Sequence, residues 1–203
     1  MENQDGELHT ARKKFDDGLL SQRDLISWNG MIAAYAHHRY GKEAINLFNE
    51  MQELGVCAND VTFLGLLMAC SHTVLVEEGL KYFDEILKNR SIQLREDHYA
   101  CLVDLCGRAG RLKEAFNIIK QLGEEALLTV WGALLAGCNV HGNVDIGKLV
   151  AEKILKIEPQ NAGTYSVEKW KEATNIRMKM KDKGLKKQPG CSWIEVGNTM
   201  KYL

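Results

Sequence analysis

The sequence predicts an all-α chain, a right-handed α-solenoid of helix-turn-helix repeats, and three observations predict it. The first is a pair of short apolar faces within His98 to Lys120. Tyr99, Leu102, Val103 and Cys106 recur at the i, i+3, i+4, i+7 spacing that lines one side of a helix, and Leu112, Ala115, Phe116 and Ile119 repeat it after a break. The second is recurrence along the chain. Aromatic residues that open such a face stand at Trp28, Phe63, Tyr99 and Trp131, giving steps of 35, 36 and 32 residues. A period in this range marks a stack of helical hairpins, each too small to bury its own core. The third is the scarcity of proline, which breaks helix interiors: only Pro159 and Pro189 occur.

In order, the first helix of each unit carries Trp28-Met31-Ile32-Tyr35, Phe63-Leu66-Leu67-Cys70, Tyr99-Leu102-Val103-Cys106 and Trp131-Leu134-Leu135-Cys138. Sixteen residues after each aromatic comes a small residue, Ala44, Gly79, Ala115 or Gly147, which lets the second helix approach the first closely. The segment Gly107 to Gly110 reads as the turn inside the third hairpin, because glycine permits turn dihedrals. Before Trp28, the spacing of Gly6, Leu8, Ala11 and Phe15 reads as a second helix without its first, so the chain is expected to be the C-terminal part of a longer array. After Asn161 a fifth unit opens at Tyr165. Its small residue, Ala173, follows after eight residues instead of sixteen, so about two helical turns are missing.

Composition narrows the function classes. The formal net charge of −1 describes no general polyanion binder, although eight Lys or Arg stand against three acids between Tyr165 and Gly190. That basic stretch reads equally as phosphate attraction or as the solvated face of a helix. No apolar run reaches the roughly 20 residues of a membrane span, and residues 1–7 lack a signal or transit-peptide pattern. None of the six cysteines forms a C-x-x-C pair, and Cys70, Cys106 and Cys138 each end an apolar face. They are expected to be buried hydrophobes in a reducing compartment, not metal ligands.

The residues Leu25 to Met51, the stretch Asp60 to Gly79 and the hairpin from His98 resemble, in turn, the P-type, L-type and S-type repeats of plant pentatricopeptide repeat proteins. Val130 to Cys138 with His141 to Val144 resembles the first extension (E) motif. Ala162 to Tyr165 joined to Lys169 to Ala173 resembles a shortened second one, and Lys187 to Glu195 a PG box. The resemblance divides the chain into a partial S-type repeat (1–24), P-type (25–59), L-type (60–95) and S-type (96–127) repeats, a first extension motif (128–161), a truncated second (162–184), and the PG box with tail (185–203). Cys57-Ala58, where the family has a basic residue and proline, departs from the pattern.

This resemblance implies recognition of single-stranded organellar RNA, in a mitochondrion or chloroplast, with one base read per repeat by two or three side chains. By the same resemblance the reading pair is Asn29 and Asn59, favouring cytosine and then uracil, with the base held between Ile26 and Val61. An asparagine amide offers two donors and an acceptor, as a pyrimidine edge requires. Read without the repeats, Asn29 would instead cap a helix and Asn59 end a turn. The equivalent pairs, Leu64 with Arg95 and Ala100 with Leu127, are poor readers.

No enzymatic function is expected. A zinc deaminase needs H-x-E and P-C-x-x-C, and none of the six histidines is followed by Glu two residues later. His98, Cys101 and Cys106 lack an evident fourth ligand, so neither metal nor cofactor is expected. The family resemblance implies a specificity factor for C-to-U editing that works with a cytidine deaminase in trans. A peptide-binding scaffold of tetratricopeptide type and a degenerate gene product remain alternatives; the uneven step argues against the former.

Overall fold

The structure, a computed structural model, describes residues 2–18, 23–122, 128–157, 193–196 and 199–202. The chain divides into two compact units, Met1–Gln160 and Asn161–Leu203. In the first unit a lone helix, α1 (Glu2–Asp17), precedes four hairpins. They are α2 (Leu25–His37) with α3 (Gly41–Glu53), α4 (Asp60–Thr73) with α5 (Val76–Lys88), α6 (Glu96–Arg108) with α7 (Leu112–Leu122), and α8 (Leu128–His141) with α9 (Val144–Ile157). The fold of this unit is an α-solenoid.

The two helices of a hairpin are buried differently. In α5 only Gly79, Tyr82, Phe83 and Ile86 are buried, a single stripe. In α4 burial runs around the helix and includes Thr62, Phe63, Gly65, Leu67, Ala69 and Ser71. The reason is stacking: α2, α4, α6 and α8 each pack on the next, so first helices are covered on several sides and second helices on one.

Each junction is closed by an edge-to-face aromatic pair. Phe15 meets Trp28 at 4.9 Å between centroids, Phe48 meets Phe63 at 5.7 Å, Phe83 meets Tyr99 at 5.1 Å and Phe116 meets Trp131 at 6.1 Å. At the first junction Arg23 adds its guanidinium over Phe15 at 4.6 Å, bonds Glu50 at 3.3 Å, and ties α1 to the array. The lone helix inferred ahead of Trp28 is thus present and packed as a second helix would be.

The turns inside the four hairpins are one structure made from different residues. The amide of the residue twelve past the aromatic donates to the carbonyl seven past it: Tyr40 to Tyr35 (2.9 Å), Leu75 to Cys70 (2.9 Å), Arg111 to Cys106 (2.8 Å) and Asn143 to Cys138 (3.0 Å). This six-to-one bond is a Schellman ending, which needs a left-handed residue just before the donor. That residue is Gly110 (φ +76°) and Gly142 (φ +64°) in two hairpins, but Arg39 (φ +61°) and Val74 (φ +58°) in the others. Gly107, read from sequence as part of the turn, is instead helical, within α6. It is small because Gly137 of α8 crosses there: a Cβ on Gly137 would lie 2.7 Å from the Gly107 Cα.

The cysteines that end three apolar faces are free and buried. Burial pushes the Cys70 thiol up to about 12 and those of Cys106 and Cys138 up to about 11, so they pack as small hydrophobes. In the second unit the described residues are strands, β1 (Trp193–Val196) and β2 (Thr199–Tyr202), paired antiparallel with Trp193 opposite Tyr202 and Val196 opposite Thr199. The all-helical class therefore holds for the solenoid, and the second unit adds a two-stranded ribbon. The shortened extension motif (162–184), the basic stretch and most of the PG box lie outside the described residues.

A β-branched residue in the left-handed region is strained by about 1–2 kcal/mol, so Val74→Gly is expected to stabilise the chain by about 1 kcal/mol in urea unfolding. Gly137→Ala must push two helix backbones apart and is expected to cost about 1–3 kcal/mol. Gly132→Ala, on the same helix with nothing within 4 Å of the new Cβ, is expected to be neutral or stabilising by up to about 1 kcal/mol. Equal effects at Gly137 and Gly132 would contradict the close crossing.

Candidate nucleic-acid interface

The stacking of first helices brings Asn29, one turn into α2, against Asn59, the residue that caps α4. Asn29 Nδ2 donates to Asn59 Oδ1 at 3.1 Å, across thirty residues of chain. Asn59 has the extended backbone of a cap, and its Oδ1 accepts the Thr62 amide at 3.0 Å. In return Thr62 Oγ1 accepts the Asn59 amide at 3.1 Å and donates to Asn29 Oδ1 at 2.6 Å. Thr62 is fully buried, whereas both asparagines are half-buried.

This network fixes which way each amide faces. The Thr62 backbone N–H is only a donor, so the Asn59 atom facing it is oxygen. The Asn29 atom facing that oxygen is then nitrogen, and its own oxygen meets the Thr62 hydroxyl. Among the described residues Asn59 Nδ2 makes no hydrogen bond, so its two N–H groups are available, with one more on Asn29. The pair offers mainly donors, together with the second lone pair of Asn29 Oδ1. Two exposed apolar side chains are close in sequence, Ile26 (79% exposed) three residues before Asn29 and Val61 (45%) two after Asn59. Water-facing aliphatic groups beside polar amides suit a flat, edge-polar ligand.

The capping reading of these residues divides. Asn59 does cap a helix, the first helix of the next hairpin. Asn29 caps nothing, because α2 is capped by Asp24, whose Oδ1 accepts the Ser27 amide at 2.8 Å and the Ser27 hydroxyl at 2.7 Å. These two bonds hold the Asp24 carboxyl below its usual range.

The next boundary is built otherwise. Leu64 is half-buried, and Arg95 at the head of α6 pairs with Asp60 at 3.3 Å. His98 takes the place of Thr62: its Nδ1 accepts the Arg95 amide at 3.1 Å and its Nε2 donates to the Asp60 carbonyl at 3.0 Å. Both ring nitrogens of this fully buried histidine are thereby used. Burial also pushes the Cys101 thiol up to about 12, and among the described residues no group of three His, Cys, Asp or Glu could hold a metal ion. Leu127 lies outside the described residues, and its would-be partner Ala100 is half-buried. Sequence reading missed Thr62. Its signal was the Asn59-x-x-Thr62 spacing of a capping pair.

Because Asn59 alone carries the cap, Asn59→Ala is expected to cost about 1 kcal/mol. Asn29→Ala is expected to cost less, since the Thr62 hydroxyl can turn to Asn59 Oδ1, 3.0 Å away. Urea midpoints of the two variants give the order, and equal losses would contradict it.

Comparison with known proteins agrees with this architecture. Models of the pentatricopeptide repeat match residues 23–72, 61–91 and 97–126, and the E motif model matches 141–195. The chain is 52% identical, over 97% of its length, to the mitochondrial pentatricopeptide repeat-containing protein At2g35030 of Arabidopsis thaliana. It is 38% identical over 96% to that plant's chloroplastic protein CRR2. It spans 33% and 31% of those two relatives. The maize pentatricopeptide repeat protein PPR10, solved with an 18-nucleotide psaJ RNA element, superposes with a TM-score of 0.64 at 18% identity. That match covers 90% of this chain and 32% of the maize chain. The chain belongs to the pentatricopeptide repeat family and carries its E motif.

Proposed function

We propose that this chain is part of a protein that binds single-stranded RNA sequence-selectively in a plant organelle. The observation that carries this reading is the hydrogen-bonded Asn29–Asn59 pair, with Ile26 and Val61 exposed nearby in the sequence. Outward amide donors match the acceptors of a pyrimidine edge, and the two aliphatic residues would hold the ring from either side. Binding of RNA by maize PPR10, which shares the fold, supports the class of ligand. The organelle reading rests on relatives named as mitochondrial or chloroplastic.

Within that class, the protein acts as a non-catalytic specificity factor for C-to-U editing, leaving the chemistry to a cytidine deaminase supplied in trans. The E motif following the repeats supports this narrower reading. A plant line lacking the protein is then expected to keep at least one organellar cytidine unedited in its cDNA.

The base-reading step is tested directly by fluorescence anisotropy with short oligo(C), oligo(U) and oligo(A). The unaltered chain is expected to prefer the pyrimidines. Replacing both Asn29 and Asn59 with Ala should reduce that preference about tenfold, the size of one polar recognition contact of ~1.4 kcal/mol. A preference unchanged by the double substitution would remove the pair from recognition and favour a peptide-binding scaffold.

A further inference from the structure

We infer that Thr62, which contacts no ligand in this reading, is a positioning residue that sets how sharply the Asn29–Asn59 pair discriminates between bases. The inference rests on the RNA-reading function proposed above. Its basis is the number of points at which each amide is held. Asn59 is fixed by its cap to the Thr62 backbone, a bond that any residue at 62 except proline would keep. Asn29 has two anchors, its Nδ2 on Asn59 Oδ1 and its Oδ1 on the Thr62 hydroxyl at 2.6 Å. Remove the hydroxyl and Asn29 swings about a single bond. Its remaining N–H and lone pair then no longer meet a base edge in one arrangement, and the benefit of a pre-organised site is lost.

The Thr62 side chain is fully buried, so it reaches a base only through the asparagines. A threonine serves because one hydroxyl accepts the Asn59 amide and donates to Asn29 at the same time. The preceding boundary repeats half of the device: the Ser27 hydroxyl donates to the Asp24 side chain at 2.7 Å. At the following boundary the same position is His98, which bonds only backbone, and there the residue at the head of the helix, Arg95, turns to Asp60 instead. Where a hydroxyl stands one residue before the first-helix aromatic, at Ser27 and Thr62, the side chain at the head of that helix bonds to that same residue. Where histidine replaces it, the head side chain, Arg95, bonds across to the preceding first helix.

The test compares the unaltered chain with Thr62→Val and Thr62→Ser, using short oligo(C), oligo(U) and oligo(A) and checking helicity by circular dichroism. Thr62→Val is expected to reduce the pyrimidine-to-adenine affinity ratio about fivefold, the effect of one ordinary hydrogen bond. Thr62→Ser, which keeps the hydroxyl, is expected to retain the ratio. A merely structural role would weaken all three RNAs by the same factor. That result, an unchanged ratio in Thr62→Val, or a lost ratio in Thr62→Ser overturns the inference and leaves the reading by asparagines standing. An unaltered chain with no preference overturns both. Thr62→Ala takes the place of the valine variant if that one does not fold, with the same outcomes.

Discussion

The aromatic joint between consecutive hairpins is the contact on which the rest of the solenoid depends. α1, α3, α5 and α7 each send one phenylalanine edge-to-face against the aromatic that opens the next first helix, at centroid separations of 4.9 to 6.1 Å. Such pairs contribute about 0.5–1.5 kcal/mol beyond the area they bury. Their larger effect is geometric. They fix where one first helix lies against its neighbour, and so which residues on the two heads can touch. The Schellman turn does the same inside each hairpin, setting the small residue at the start of the second helix against the face of the first.

With both spacings fixed, Asn29 and Asn59 meet although thirty residues separate them. One side chain then has two tasks. Asn59 satisfies an amide at the start of α4 and orients Asn29. A residue that served recognition alone could drift without consequence for folding. Here the oxygen belongs to the helix cap, and the nitrogen makes no hydrogen bond among the described residues.

The hairpins were legible in the sequence because their apolar faces obey a helical period and the aromatic recurs at a near-constant step. The turn was legible only in part. Gly107 and Gly110 look alike in a sequence, yet only Gly110 is left-handed, while Gly107 faces another glycine on α8. That contact is set by a helix crossing, which no local pattern reports. In the hairpins where Arg39 and Val74 occupy the left-handed position, no glycine marks the turn at all, and the backbone conformation is imposed by the packing on both sides. The asparagines were located through family resemblance, and their mutual bond needed the structure. Thr62 was overlooked because threonine before a phenylalanine reads as an ordinary first-turn residue. The ribbon of Trp193 to Tyr202 was overlooked too, although Gly197-Asn198 between alternating residues is a hairpin signal.

On the proposed function, the second boundary is a well-formed hairpin that reads no base. Phe83 against Tyr99 joins α5 to α6 as securely as Phe48 against Phe63 joins α3 to α4, so folding makes no demand that the helix head carry an amide. Freed from that demand, the head of α6 is secured in another way. His98 bonds the Arg95 amide and the Asp60 carbonyl, and Arg95 answers the Asp60 carboxylate. The two bonds to Asp60 hold α6 to α4, the His98–Arg95 bond closes the head of α6 itself, and none leaves an amide edge facing outward. Cohesion and recognition compete for the same few polar atoms at a helix head, while the aromatic joint below keeps the array together whichever of them prevails. A solenoid built on that joint can therefore carry differently bonded helix heads side by side without changing its fold, as the proposed function requires.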